Sequence, residues 1–286
     1  MPLAWQPPAT LAAAIIAAAA IVFGAGAVFG ILVAEPSFAA IADSLQEVLF
    51  TLLLFGGLLA VAIVGLRLAR IGIGSLIGPA PGRMAGIGCI VGAGGLAAAA
   101  ALAALALHIE VSPGAPPPGV VALVGGTLLV VFQAGTEEVY FRGWLQAVLV
   151  RSWGPIPGLL AAATAFAVLH LISSDRSVLT VVNLLLAGLL FGVLALRSGG
   201  IALPIFAHFA WNWAEGIALG LAPNPGVGSF GALVDLDMTG AAAWGGAAEG
   251  LNASLATGFV LTALIIPFAV WRGLGSRPVS SPARPG

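Results

Sequence analysis

Apolar residues run along this chain in long blocks separated by short joints. A helix needs about 20 apolar residues to cross the hydrocarbon of a bilayer. By that measure the segments near 11–33, 46–66, 85–107, 120–149, 156–172, 177–196, 200–221 and 252–271 predict about eight spans. The fifth is the shortest. Pro/Gly-rich joints at 79–82, 113–119, 155–158 and 223–228 mark places where helices stop between spans. The expected fold class is all-α, a polytopic transmembrane helical bundle. Residues 1–275 are expected to form one membrane domain, and 276–286, rich in Pro, Ser and Arg, a disordered cytoplasmic tail.

Composition narrows the classes further. With 60% of residues hydrophobic and 7% charged, and a mean hydropathy of +1.12, the chain has too few polar residues to coat a soluble core. Net charge is −1, so nothing points to nucleic acid as a partner, and the lipid bilayer is the expected surroundings. The first apolar stretch is too long for a signal-peptide core and has no basic segment before it, so it reads as the first span. The single Cys89 lies in an apolar run and reads as a packing residue.

The basic residues are all arginines. With eight spans, Arg67, Arg70, Arg83, Arg151, Arg197, Arg272, Arg277 and Arg284 fall on one side. Glu35, Asp43, Glu47, Glu110, Asp175, Asp235, Asp237 and Glu249 fall on the other, with Arg176 the basic exception. By the positive-inside rule both termini are cytoplasmic. Trp5, Trp153 and Trp271 fall at expected interfaces as belt residues. The spacings Gly88/Gly92 and Gly188/Gly192 read as close helix contacts.

The chemistry lies within the spans. Glu137, Glu138 and Arg142 stand within six residues of one another in the fourth apolar segment. Exposed to lipid, these three charges would cost on the order of 8–10 kcal/mol, so they must face protein or water. Glu138 and Arg142 share a helix face at i,i+4 and can pair. Glu137 is turned about 100° away and has no partner on its own helix, as a general base would require. His170 closes the fifth segment, and His208 and Asn212 share a face of the seventh. Helical rise places Glu137, His170 and His208 roughly 20, 22 and 15 Å above the arginine ends of their helices. Three helices thus present polar groups at similar depth, the mark of a working cavity. Glu215, seven residues beyond His208, is a weaker candidate near the outer end, and His108 beside Glu110 reads as interfacial. There is no HExxH, Gly-x-Ser-x-Gly or Gly-x-Gly-Asp sequence, which removes the zinc-helix, serine and aspartate protease classes.

Taken in order, Glu137-Glu138…Arg142, Phe166…His170 and His208…Asn212 resemble the CPBP family of CAAX proteases and bacteriocin-processing (Abi) proteins, which includes the type II CAAX prenyl endopeptidases. Its signature is EExxxR, FxxxH and HxxxN on successive membrane helices, and the resemblance covers about 120–215. It implies an intramembrane protease in which Glu137 and His170 activate a water while His208 and Asn212 stabilise the oxyanion. Glu138, Arg142 and Phe166 are supporting residues. Glu137, His170 and His208 are also a set that a catalytic zinc with an open position would accept, so metal-dependent and metal-free hydrolysis both stay open. The expected substrate is a membrane-embedded protein or peptide, CAAX-like or other, reached through a cavity that opens toward the cytoplasm. A transporter, ion-binding or immunity scaffold using the same cluster is the alternative, but the two related halves that would favour transport are not found. The lysine-free, Ala/Gly/Arg-rich composition points to a bacterial inner membrane, where prenylated substrates are not expected.

Overall fold

The computed structural model describes residues 7–112, 117–172, 177–221 and 228–270. Eight apolar helices make up most of it. They are α1 (Pro7–Ala34), α2 (Asp43–Leu68), α3 (Pro81–Ala103), α4 (Val120–Trp153), α5 (Pro155–His170), α6 (Val178–Ser198), α7 (Ala202–Trp213, continued by Ala214–Ala218) and α8 (Leu255–Val270). Five helical stretches have the length and composition to cross a membrane: α1, α2, α3 with the short helix before it, α4 and α6. Helices α5 and α8 are apolar but have 16 residues each. The expected tail at 276–286 lies outside the described residues, as do Trp5, Trp271, Asp175, Arg176, Arg272, Arg277 and Arg284.

Local sequence sets the helix ends. Pro81 and Pro155 occupy first-turn positions, where a missing N–H costs nothing. Ser177 caps α6 by accepting from the Thr180 N–H. The chain leaves α6 through Gly199 at φ 73°, a left-handed conformation that suits glycine. Within α4, residues Val139–Gln146 widen into a π-helix, and Ala214–Ala218 does the same after α7. The regular helix expected through 120–149 is therefore underwound at the motif itself, a common place for π turns.

One element was not anticipated: a two-stranded antiparallel sheet of β1 (Leu107–Val111) and β2 (Leu236–Gly240), with Ile109 opposite Met238. It lies at the acidic end, where Ser112 also donates to Asp237 and Ser229 to Glu47. His108 sits exposed on β1, 2.6 Å from Glu110. The opposite end gathers the arginine loops: Arg151 donates to the Ala69 carbonyl at 3.3 Å, and the Ile201 N–H to Leu76 at 2.9 Å.

Small residues set the helix spacing. A Cβ on Gly88 or Gly92 would overlap the α7 backbone at Leu203 or Ala207. One on Gly188 would press on Ala163, and one on Gly192 would strike Leu159 and Gln146. Both glycine pairs are thus contact positions, as their spacing predicts. Leu96, Leu190, Leu194 and Leu203 fill the core between α3, α6, α7 and α8, and Tyr140, Leu145 and Leu149 fill the one against α1, α2 and α5.

Candidate active site

The polar residues of α4, α5 and α7 meet where these two cores adjoin. Glu138, fully buried, accepts from Arg142 Nη1 at 2.8 Å and lies 2.9 Å from His208 Nδ1. Arg142 also donates to the Gly188 carbonyl of α6 at 3.2 Å. Its guanidinium lies 4.5 Å from the Phe166 ring centroid and 5.3 Å from that of Phe191. Breaking such a buried pair by removing one partner costs about 3–5 kcal/mol, because the other charge is left unpaired. His208 stacks on Phe191 at 4.7 Å, so its ring is fixed by a face and an edge. With Nδ1 turned to Glu138, Nε2 is the nitrogen left for chemistry.

Glu137 points elsewhere. It is 7% exposed, and its Oε2 is buried with no hydrogen-bond partner among the described residues. It lies 3.8 Å from His170 Nε2. His170 is anchored through Nδ1 to the Phe166 carbonyl at 2.7 Å, and its ring packs on Phe166 at 4.4 Å. Phe166 therefore has two tasks. Its ring lies between Arg142 and His170, and its backbone orients the histidine.

A cavity of about 240 Å³ brings Glu137, His170, His208 and Asn212 together, with Phe166 and Phe191 in its walls. Gln133, Thr180, Asn183, Trp211, Asn252 and Thr257 add to the lining. Gln133 stands four residues before Glu137, and Asn183 lies inside an apolar span; the reasoning that singled out Asn212 would have found both. Asn252, at the edge of the last apolar block, carried no such signal. Glu215 is buried in the π segment after α7 and accepts from Asn252 Nδ2 at 2.8 Å. It reaches the cavity wall only through that asparagine.

One expectation changes. Thr180, Asn252 and Thr257 all sit at the acidic ends of their elements, so the cavity extends toward that end and not toward the arginine loops. Glu137, His170 and His208 all line this cavity. As the side chains are placed, no group of three His, Cys, Asp or Glu among the described residues converges to hold a metal ion, while His208, bonded to Glu138 through Nδ1, keeps Nε2 as the nitrogen a metal would take.

No curated protein matches the chain closely. The family model described as type II CAAX prenyl endopeptidase Rce1-like matches residues 119–214, from the start of α4 to just past Asn212. This is a family of proteases. The segment that carries all three motifs and most of the cavity is therefore the part of this multi-pass membrane protein that is similar to the type II CAAX prenyl endopeptidases.

Proposed function

We propose that this chain is an intramembrane endopeptidase that hydrolyses a peptide bond of a membrane-associated protein or peptide, using a water activated by Glu137 and His170. The observation that carries the reading is the 3.8 Å separation of Glu137 Oε2 and His170 Nε2 at the cavity wall. It is too long for a hydrogen bond and suits a water bound to both. Glu137 takes a proton as the water oxygen attacks the peptide carbonyl, while His170 orients that water through Nε2. His208 Nε2, in the protonated ring, and Asn212 Nδ2 donate to the oxyanion from α7. Glu137 then returns its proton to the leaving amine, giving a new carboxyl and amino terminus.

In this reading all eight apolar helices cross the membrane, and the arginine end faces the cytoplasm of a bacterial cell. The scissile bond then reaches the half of the membrane nearer the acidic end. The family description points to lipidated CAAX sequences, and the lysine-free composition points to other anchored peptides.

The test is cleavage by protein reconstituted in liposomes. Two internally quenched probes are used, a farnesylated CAAX peptide and a single-span hydrophobic peptide. Wild type should cleave at least one, and Glu137→Gln neither. Cleavage of neither probe by wild type, or full turnover by Glu137→Gln, would sink the proposal.

A further inference from the structure

The turn Leu251–Ala253 lies beyond the family-matched segment, yet its Asn252 side chain is exposed in the wall of the cavity. Two contacts orient that amide. Trp211 Nε1 donates to Oδ1 at 3.3 Å, and Nδ2 donates to Glu215 Oε2 at 2.8 Å. An indole N–H only donates, so the atom facing Trp211 is the oxygen and the amino group is the one facing Glu215. The backbone is fixed as well. Asn183 Nδ2 donates to the carbonyls of Asn252 and Ser254, both at 2.8 Å, and Leu251 and Ala253 are buried on either side.

These contacts use one N–H and one lone pair of the amide. One N–H on Nδ2 and one lone pair on Oδ1 remain. An extended peptide presents a matching pair, a carbonyl and an N–H from its main chain. Glu215 is 5% exposed, an expensive place for a carboxyl group unless it performs a task. Orienting Asn252 gives it one.

We propose that Asn252 binds the main chain of the substrate beside the scissile bond, donating from Nδ2 to a carbonyl and accepting an N–H at Oδ1, and that Glu215 positions it. The proposal rests on the endopeptidase reading above. It adds a binding contact from outside the segment that carries the three motifs.

The full chain in liposomes is assayed with whichever quenched probe it cleaves, and with copies N-methylated at one peptide bond at a time. Asn252→Ala should raise KM about fivefold, the scale of one lost hydrogen bond, while kcat falls far less. One N-methyl position should penalise wild type and leave Asn252→Ala indifferent, a pattern that a purely structural role does not produce. If Asn252→Ala melts below the assay temperature, Glu215→Leu serves instead. It should raise KM about threefold, and Glu215→Gln, which keeps an acceptor, should restore most of that loss. An unchanged KM, or equal N-methyl penalties in wild type and the working variant, overturns the proposal. Glu137→Gln runs alongside: if it retains turnover, the endopeptidase reading itself has failed.

Discussion

Glu138 Oε1 ties α4 to α7: it accepts from Arg142 Nη1 at 2.8 Å and lies 2.9 Å from His208 Nδ1. Its neighbour Glu137 faces the cavity with Oε2 unpartnered among the described residues. Adjacent and chemically identical, the two glutamates should therefore fail differently. Glu138→Gln leaves the Arg142 charge buried without its counter-ion and should lower stability by about 3–5 kcal/mol. Glu137→Gln breaks no ion pair within hydrogen-bond reach and should melt within a few degrees of wild type while losing turnover. Thermal unfolding in detergent micelles, read beside the cleavage assay, separates them. Equal melting temperatures for the two variants would contradict this division.

Arg142 is the second member of that bridge, and its geometry requires a guanidinium. One nitrogen reaches Glu138 and another the Gly188 carbonyl, while the flat cation lies near Phe166 and Phe191. Lysine keeps the charge but cannot make two divergent bonds at that reach or stack. Arg142→Lys should cost about 2 kcal/mol, roughly two lost hydrogen bonds. Turnover should fall as well, because Phe166 also holds His170. Wild-type stability and rate in Arg142→Lys would mean that charge alone is sufficient at this position.

Much of this was legible along the chain because hydrocarbon punishes polar residues severely. Glu137, His170, His208 and Asn212 stand out against apolar surroundings, and the cavity does bring them together. The pairing of Glu138 with Arg142 followed from helical spacing, although the chain there is a π-helix. The bond from Glu138 to His208 spans 70 residues, a distance at which local pattern carries no register. The β1–β2 pair was missed for the same reason, since each strand is five residues long and finds its partner across the fold. The cavity's lean toward the acidic end depends on Asn252 and Thr257, which only tertiary packing brings beside α6 and α7.

Gly92 shows how tightly the site is held from behind. Its Cβ position falls on the Ala207 carbonyl oxygen, 2.0 Å away and next to His208, and that of Gly88 lies 2.6 Å from the Leu203 carbonyl oxygen. A valine at 92 must push α3 away from α7. Overpacking of this kind costs about 1–3 kcal/mol, and the displacement would reach the imidazole directly. Gly92→Val should therefore lower both melting temperature and kcat, whereas Gly94→Val, with nothing near its Cβ, should do neither. Equal effects at the two positions would show that the contact does not constrain the site.

Metal removal gives the last prediction. A catalytic zinc is held by three protein ligands with one open position. Here Glu137 and His170 stand 3.8 Å apart, and His208, bonded to Glu138 through Nδ1, has Nε2 left. Among the described residues no third His, Cys, Asp or Glu converges with them. Two ligands would bind zinc weakly enough for a chelator to strip it. Turnover that relies on side chains alone, with Glu137 and His170 activating the water, should survive that stripping. Dialysis against EDTA should leave the cleavage rate within about twofold, since no catalytic group is removed, and added zinc should give no gain. Loss of activity on chelation, with recovery at one equivalent of zinc, would instead mean that His208 Nε2 completes a ligand set with Glu137 and His170.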